Sequence, residues 1–437
     1  MKGSQSKEPA TSCGPLPLAG TTSSTACSPT PARAKRRILF VDDEPSILEF
    51  YGMMFKRQQA DWELEFAENG RKALAMVAGS TYDAVVSDMR MPELNGAELL
   101  CEVSRLQPRA ARFIISGFSD REQVMRCLPG THQFLSKPFN MSDLTNKVVR
   151  SMEANDWLAS DAVRSVVAKL FALPSLPSSY FQILHEINLP YGQAENVGAI
   201  IERDPAMTAK LLQLVNSAFF GLPRSISNPT EAVMHLGMET VRSLALGIQI
   251  FSQFEPLGDL QFPLALHMKH CLKTANSARL IARMESSDSS VADDAFAAGL
   301  LMDIGLLVIV QNLPQAFTEA RELSRSKKIR MWEAEREVLG VTHAEIGAYL
   351  LALWGLPLPI VEAVLHHHQP GRCRNQEFTP LTCVHVANAL EHEHPVNEPS
   401  FNTSEVDAPY LDELGLTDSF RQWQEMVAEA RTSSGAN

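Results

Sequence analysis

The stretch "ILFVDDEP", residues 38–45, decides the fold of the N-terminal part of the chain, because a short apolar run ends in three acidic residues and a proline. The run predicts a buried strand over Ile38–Val41, and the proline begins a helix predicted to reach Gln59. The same alternation predicts further strands at Glu63–Ala67, Ala84–Val86, Phe113–Ile115 and Gln133–Leu135, and further helices at Gly70–Ala78, Gly96–Leu106, Asp120–Leu128 and Ser142–Glu153. This order is typical of a doubly wound parallel sheet of five strands, a (βα)5 fold of the α/β class.

Polar residues follow these strands where each one ends. Asp42 and Asp43 follow the first strand, Asp88 the third, Ser116 the fourth and Lys137 the fifth. Ligands of open α/β sheets bind at the carboxyl ends of the strands, so these side chains are expected to converge. Clustered carboxylates favour a hard cation such as Mg²⁺, which neutralises charge on a transferring phosphoryl group. The pattern predicts that Asp88 is a nucleophile, that Lys137 pairs with it or with a phosphoryl oxygen, and that Ser116 donates a hydrogen bond to another oxygen.

Four segments carry a family resemblance: "ILFVDDEP" (38–45), "VVSDMRMPELNGAELL" (85–100), "FIISG" (113–117) and "FLSKPF" (134–139). Together they resemble the receiver domain of two-component response regulators, the CheY-like family. The resemblance implies Asp88 as the residue phosphorylated by a sensor histidine kinase, Asp42 and Asp43 as Mg²⁺ ligands with Asp88, Ser116 as switch hydroxyl, Phe134 as switch aromatic, and Lys137 as the site lysine. It also implies a phosphorylation-dependent surface on the fourth helix and fifth strand, which relatives often use to form a homodimer.

After about Asp156 the strand signals disappear and apolar residues recur at helical spacing, so an all-helical region is predicted to about residue 395. A short helix is predicted near the end of the chain, at Ser419–Arg431. The predicted organisation is a disordered leader at 1–35, a receiver domain at 36–155, a helical linker at 156–170, a helical domain at 171–395 and a C-terminal extension at 396–437. The fold class is therefore α/β followed by all-α.

The helical region contains "HMKHCLKTANSARLIA" (267–282), "AAGLLMDIGLLVI" (297–309), "VTHAEIGAYLLALWGLP" (341–357) and "VEAVLHHHQP" (361–370). These segments resemble the HDOD domain over about residues 165–390. HDOD domains are related to HD-type metal-dependent phosphohydrolases, and the resemblance implies a signalling output that usually lacks clear enzymatic activity. It implies an unknown protein partner for this region.

The metal ligands of HD hydrolases are only partly present in this helical region. His270 matches the first ligand histidine, the paired His-Asp falls at Met302 and Asp303, and the later aspartate falls near Asn388. A thioether and a neutral amide are poor ligands for Mg²⁺ or Mn²⁺. We therefore expect no metal at this HD-like site and no hydrolase activity. Asp303 lies inside an apolar run, so it is expected to be buried with a partner, for which His270 is the candidate.

Two alternatives stay open for the remaining histidines. His343 follows Thr342 at a helix start, and the run His366–His368 precedes Pro370, so these residues are interpreted as helix-terminal polar groups. Alternatively, His343 and the run His366–His368, with His367 as the candidate ligand, complete a degenerate site for a divalent transition metal.

The function that corresponds to a metal site is a receiver-controlled HD-type phosphohydrolase or cyclic dinucleotide phosphodiesterase. The segment "LMDIGLLVIVQNLPQAF" (301–317) lacks the Gly-Tyr-Pro signature and the lysine that such phosphodiesterases carry. The resemblance therefore favours a signalling switch over an enzyme.

Composition excludes several other classes of function. The 437 residues include 39 Lys+Arg and 51 Asp+Glu, a formal charge of −12 that disfavours binding to nucleic acid through bulk charge. The one short basic stretch, "SRSKK" (324–328), does not make a recognition helix. Seven scattered cysteines without a C-x-x-C pair indicate a reducing, cytoplasmic location. The longest apolar run, Ala295–Val310, is too short to span a membrane.

Overall fold

A computed structural model of the chain describes most of the two predicted domains. The described residues are 35–55, 62–116, 131–137, 139, 141–154, 167, 173–175, 182–183, 186, 189, 192–216, 224–238, 241, 251–253, 262–373, 377–392 and 405–434. Three predictions lie almost wholly outside them: the leader at 1–35, the helix Asp120–Leu128 and the linker at 156–170.

The receiver region is a parallel sheet with helices between its strands, as predicted. Its elements are β1 (Arg36–Val41), Pro45–Met54, β2 (Trp62–Ala67), Gly70–Gly79, β3 (Ala84–Asp88), Gly96–Leu106, β4 (Ala111–Ser116), β5 (Gln133–Ser136) and Met141–Ala154. The strand order is β2-β1-β3-β4-β5, and all four neighbouring pairs are parallel. The strand order changes direction between β1 and β3: β2 lies on one side of β1, and β3, β4 and β5 follow on the other side. The carboxyl ends of β1 and β3 therefore border the crevice where ligands bind in such folds.

Alternate residues of β1 supply two separate apolar cores. Ile38 and Phe40 pack with Leu144 on one side of the sheet, whereas Leu39 packs with Leu99 on the other. The period of two follows from strand geometry, in which successive side chains point to opposite faces. The core that contains Leu99 continues through contacting buried side chains into the helical region.

The second region is built from helices around a large apolar core. The helices are Ala194–Ile201, Pro205–Val215, Pro229–Leu236, Leu264–Glu285, Ser289–Leu301, Ile304–Asn312, Pro314–Lys327, Met331–Leu339, His343–Leu353, Leu358–His366 and Pro380–His392, with a 3₁₀ turn at Pro370–Arg372. The fold class is confirmed, with one local difference: two three-residue strands, β6 (Leu173–Ser175) and β7 (Phe251–Gln253), pair in parallel. A three-residue strand is too short for its period to be recognised in the sequence, and it forms only because a distant strand pairs with it.

The helix His343–Leu353, called the bridge helix below, connects the two regions. Thr342 and Glu345 form a capping box at its start, and every residue of the helix except Glu345 is buried. A helix that is apolar on all sides lies inside a protein. The bridge helix packs against Met141–Ala154 of the receiver region and against Ile304–Asn312 of the helical region. It is therefore the core element shared by both.

The C-terminal extension packs onto the helical region. The predicted helix Ser419–Arg431 is longer in the structure, at Thr417–Ser434, and a further short helix at Ala408–Glu413 precedes it. Trp423 is fully buried, and its Nε1–H donates to Glu285 Oε1 at 3.1 Å. The extension thus adds a buried aromatic anchor to the helical core.

Lys210 is a buried lysine in this core, without a carboxylate partner among the described residues. It is 1% exposed, and its Nζ lies 4.4 Å from the ring centroid of Trp354. Burial lowers the pKa of Lys210 to about 7. Between pH 7 and about 10 the unfolded chain therefore binds one more proton at this residue than the folded chain, so stability rises with pH.

Replacing Lys210 by methionine is expected to stabilise the protein at pH 7 by about 1–3 kcal/mol, because a buried charge is exchanged for an apolar chain of similar size. This advantage is expected to shrink by about 2 kcal/mol at pH 9, where the wild-type lysine is neutral when folded. Urea unfolding at both pH values measures it. The exposed Lys269→Met is the control; an equal pH dependence in both variants would contradict the prediction.

No single helix of the described residues is long and apolar enough to cross a membrane. The helical segments Ser289–Asn312 and Pro314–Lys327 meet the length and composition test only as a pair, which is bent by 116° at its break.

Candidate functional site

Two buried carboxylates lie at the carboxyl edge of the receiver sheet, on the adjacent strands β1 and β3. Asp42 follows β1 and is 1% exposed, and its Oδ1 accepts a hydrogen bond from the Glu44 N–H at 3.0 Å. Asp88 ends β3 and is 7% exposed, and its Oδ2 accepts from the Arg90 N–H at 2.7 Å. Backbone donors therefore fix both carboxylates in place.

Lys137 joins these two carboxylates. Its Nζ donates a hydrogen bond to Asp88 Oδ1 and lies 3.5 Å from Asp42 Oδ2. Burial lowers the pKa of Lys137, but the two carboxylates, Asp88 first, raise it by more, so the side chain stays an ammonium. Burial raises the pKa of Asp42, and Lys137 opposes that shift. The lysine is thus held by the charge of the carboxylates that it neutralises.

The Ser116 hydroxyl is buried next to this pair. In the register of β3 and β4, Asp88 is opposite Ile115, so Ser116 lies one residue beyond the carboxylate. Ser116 is 1% exposed, and its Oγ has no hydrogen-bond partner among the described residues. The Lys137 N–H donates to the Ser116 carbonyl at 2.8 Å, which ties the two strand ends together. A buried hydroxyl without a partner among the described side chains suits a hydrogen bond to a ligand oxygen.

The other two residues predicted for the receiver site are Asp43 and Phe134. Asp43 is exposed. Phe134 lies in β5, where its backbone pairs with Ile114, and its side chain is outside the described part of the chain. Among the described residues, two groups of side chains bring three or more possible metal-ligand atoms within 4.8 Å of one another. Neither group contains Asp42, Asp43 or Asp88. The carboxylate oxygens nevertheless suit a hard cation, and Mg²⁺ fits this donor set.

A glycine brings the loop after β3 back onto Asp88. A Cβ on Gly96 would lie 2.0 Å from the Asp88 carbonyl oxygen, and the Gly96 N–H donates to the Met89 carbonyl at 3.0 Å. Asn95 caps the following helix by accepting from the Glu98 N–H at 2.9 Å. The Asn-Gly pair therefore lets the helix begin directly against the end of β3.

A second cluster lies in the helical region and is called the histidine cluster: Asp303, His343, His367 and His368. Asp303 Oδ1 lies 3.2 Å from His343 Nε2 and 3.6 Å from His367 Nε2. His368 Nε2 lies 3.0 Å from His343 Nε2. Asp303, His343 and His367 are buried, and His368 is partly exposed. Four ligand-type side chains from three segments thus meet at one point.

Outer contacts orient two of these imidazoles. His343 Nδ1 lies 2.7 Å from Glu335 Oε2 and 3.0 Å from Oε1, and His367 Nδ1 lies 2.7 Å from the Val364 carbonyl. Burial lowers the pKa of His343, but Glu335 and Asp303 together raise it to about 10. Burial raises the pKa of Asp303, but the neighbouring imidazoles, His343 first, hold it well below its usual range.

The structure divides the predicted HD-like site into two groups. His270 Nε2 pairs with Asn388 Oδ1 at 3.0 Å, and neither residue belongs to the histidine cluster. The expected partnership of Asp303 with His270 is therefore wrong: the ion-pair contacts of Asp303 are with His343 and His367. His270 and Asp303 come from successive helical segments, and sequence order alone does not say which helix faces which.

The positions of the histidines in their helices agree with the helix-terminal interpretation, because His343 begins the bridge helix and His366 ends Leu358–His366. Their environment does not, since His343 and His367 are fully buried. Sequence reasoning missed Glu335 as a member of this site, whereas His368 belongs to the histidine run that was weighed as part of a metal site. The run of three histidines contained a signal for His368, whereas Glu335 lies eight residues before His343 and has no recognisable spacing.

The parallel sheet with its carboxylate, lysine and hydroxyl, followed by a helical domain, defines a signalling receiver joined to an HD-related output domain. Family comparison agrees: the response regulator receiver domain matches residues 38–149, and the HDOD domain matches residues 173–370. The chain therefore carries a response regulator receiver domain followed by an HDOD domain, and the receiver domain supports a response regulator function.

Similar proteins include an uncharacterized protein of Treponema pallidum (strain Nichols), 27% identical over 217 residues, which are 50% of this chain and 41% of that protein. A cyclic di-GMP phosphodiesterase of Thermotoga maritima is 24% identical over 147 residues, 33% of this chain and 39% of that protein. This chain thus spans about two fifths of the length of these curated relatives. The crystal structure of the MmoQ response regulator from Methylococcus capsulatus covers 58% of this chain and 98% of its own, with 21% identity and a TM-score of 0.43.

Proposed function

We propose that Asp88 accepts a phosphoryl group from a sensor histidine kinase, and that the modification changes the contacts of a non-catalytic HDOD output domain. The Asp88 carboxylate oxygen attacks phosphorus, the bond from phosphorus to the donor histidine breaks, and an acyl phosphate forms. Mg²⁺ held by Asp42, Asp43 and Asp88 supplies charge neutralisation at the phosphoryl oxygens when it is bound. A cytoplasmic location belongs to the same proposal.

The observation that carries this proposal is the set of contacts around Asp88. Lys137 is already bonded to the acceptor carboxylate, and its ammonium can pair with the added phosphoryl oxygens. The unpartnered Ser116 hydroxyl can donate to another of these oxygens. A phosphoryl group would therefore find a cation and a donor that are positioned before it arrives.

The transmission step uses hydrogen bonds from β5 and its neighbours to the helical region. Gln133 Nε2 donates to the Leu353 carbonyl, at the end of the bridge helix, at 3.1 Å. Gln213 Nε2 donates to the His132 carbonyl at 3.1 Å. Since Lys137 follows β5 directly, a shift of the lysine toward a phosphoryl group displaces the strand that carries these contacts. A phosphoryl group can change the output only by favouring one of two such arrangements.

The non-catalytic role of the HDOD domain is supported by its altered HD positions. Met302 stands where HD hydrolases have a histidine, and Asn388 is bonded to His270 instead of supplying a carboxylate. The cyclic di-GMP phosphodiesterase similarity concerns a protein of which this chain spans 39%. Incubation of the full chain with cyclic di-GMP and Mn²⁺ or Mg²⁺ is expected to give no product. Turnover above that of an Asp303→Ala variant would favour a receiver-controlled phosphohydrolase instead.

Replacing Gln133 by leucine is expected to loosen the contact between the two domains. The variant loses the donor to the buried Leu353 carbonyl and its bond to Ser151 Oγ at 2.9 Å. Loss of a buried partner costs about 1–2 kcal/mol, which shifts a two-state equilibrium about 5–30-fold. Small-angle scattering of the unphosphorylated variant is expected to move toward the profile of wild type treated with beryllofluoride and Mg²⁺.

Gln107→Leu is the matched control for this variant. Gln107 Nε2 donates to the Val77 carbonyl at 2.6 Å and also to the Ser80 carbonyl, both within the receiver domain. Its loss should cost a similar amount of stability and leave the scattering profile unchanged. If Gln133→Leu gives the same profile as Gln107→Leu, the bond to the bridge helix does not carry the signal.

A further inference from the structure

The histidine cluster has the geometry of a metal centre. The observed separations between neighbouring ligand atoms are 3.0, 3.2 and 3.6 Å, and all four ligand atoms lie within 4.8 Å of one another. Zinc bonds to nitrogen and oxygen of about 2.0–2.1 Å place the corners of a tetrahedron about 3.3 Å apart. The arrangement therefore has the size of a tetrahedral site with three nitrogen ligands and one oxygen ligand.

Contacts from outside the histidine cluster orient the ring nitrogens of His343 and His367. A hydrogen bond from Nδ1–H to Glu335 leaves Nε2 of His343 facing the cluster, where a bound ion would displace its proton, and the Val364 carbonyl orients His367 in the same way. Asp303 Oδ1 and His367 Nε2 are buried and have no hydrogen-bond partner among the described residues. A buried carboxylate oxygen and a buried ring nitrogen without hydrogen bonds are groups that a cation between them would stabilise.

Charge and access also suit a divalent ion. Once an ion has displaced the proton of His343, the carboxylates of Asp303 and Glu335 balance its two positive charges. His368 lines a surface cleft of about 460 Å³, together with Arg330, Gln369 and Asp407, so one ligand of the cluster is reached from the surface. Imidazole-rich sites favour zinc over Mg²⁺ or Ca²⁺.

We propose that Asp303, His343, His367 and His368 bind one Zn²⁺ ion, with Glu335 as the outer partner of His343. Four protein ligands leave no open position for a substrate water, so the site is structural, unlike the metal site of a hydrolase. The ion would join the segment after Ser289–Leu301 to the start of the bridge helix and to the end of Leu358–His366. It does not involve His270 or Asn388, which pair with each other.

Metal analysis of the purified full chain tests the proposal. Protein reconstituted with Zn²⁺ in an excess of Mg²⁺, which occupies the receiver carboxylates, is expected to retain one zinc ion per chain after gel filtration. His368→Gln is expected to bind zinc at least 100-fold more weakly, and Glu335→Gln about 10–100-fold more weakly. Co²⁺ in place of Zn²⁺ is expected to give the visible bands of a tetrahedral site in wild type, and not in His368→Gln.

Two further variants, His235→Gln and His270→Gln, serve as the control and as the test of the alternative location. The exposed His235→Gln should bind zinc as wild type does. Zinc that is lost in His270→Gln but kept in His368→Gln would place the ion at the HD-like pair and overturn the assignment, as would a wild-type chain that retains none. If His368→Gln does not fold, as judged by circular dichroism, the outer variant Glu335→Gln decides. None of these measurements depends on phosphorylation, so this proposal can fail while the function proposed for Asp88 stands.

Discussion

Replacing Asp88 by asparagine is expected to reduce phosphoryl uptake from acetyl phosphate and Mg²⁺ from about one group per chain to background. The amide has no carboxylate oxygen to attack phosphorus, and Lys137 Nζ loses the anion to which it is now bonded. The size of the side chain hardly changes, so the fold should persist. Intact-protein mass spectrometry measures the uptake directly, as the mass of one added phosphoryl group.

Glu68→Gln is the matched control for Asp88→Asn. Glu68 follows β2 at the same edge of the sheet, but it is exposed and lies 3.7 Å from Lys72. The control should take up phosphate as wild type does. Uptake by Asp88→Asn at the wild-type level would show that another residue is the acceptor, and the proposed switch would then be assigned to the wrong carboxylate.

Replacing Gly305 by alanine is expected to destabilise the protein by about 3 kcal/mol, the largest effect on stability that we predict. A Cβ at this position would lie 2.0 Å from the His343 carbonyl oxygen and 2.7 Å from the Gly347 nitrogen. Both atoms belong to the backbone of the bridge helix, so they cannot rotate away as a flexible side chain can. The two helices must separate, and Asp303 moves away from His343. Denaturant unfolding measures the loss.

Gly79→Ala is the control for this substitution. Gly79 ends the helix Gly70–Gly79, and a Cβ there would have no heavy atom within 4 Å. An alanine should change stability by less than about 1 kcal/mol, in the stabilising direction, because it restricts the unfolded chain. Equal effects of the two substitutions would show that the helical region absorbs the added methyl group, and that the close approach at Gly305 is not structurally required.

The receiver fold and most of its site could be predicted from the sequence because each signal is local. A buried strand such as Ile38–Val41 needs only a short apolar run, and the strand-end position of Asp88 follows from that run. Parallel topology then brings the ends together without further information. The pairing of Lys137 with Asp88 was one of two predicted alternatives, and local patterns could not give the exposure of Asp43, because it depends on side-chain placement.

The helical region was less predictable, since helix periodicity says which face is apolar and not which helix it meets. Asp303 was expected beside His270, yet it lies among imidazoles from the bridge helix and from the end of Leu358–His366. Glu335 contributes through a contact eight residues away in sequence, at a spacing that follows from no helix or strand period. Pairings of this kind are set by packing between elements and become visible only in three dimensions.

The bridge helix contacts both the receiver domain and the histidine cluster. Its first residue belongs to the histidine cluster, and its last residue accepts the hydrogen bond from Gln133 of the receiver domain. In the proposed switch, a change at β5 would reach a helix whose residues, except Glu345, are all buried, so that it could move only with its neighbours. We therefore expect a discrete change in the HDOD domain and not a local adjustment.

The most direct measurement is hydrogen exchange of the full chain, with and without beryllofluoride and Mg²⁺, in wild type and in Asp88→Asn. We expect beryllofluoride and Mg²⁺ to alter exchange in β5 and at the end of the bridge helix, around residues 350–356, in wild type and not in Asp88→Asn. Unchanged exchange in those residues, in a wild-type sample whose mass shows full modification by acetyl phosphate, would mean that the receiver domain does not control the HDOD domain through this contact.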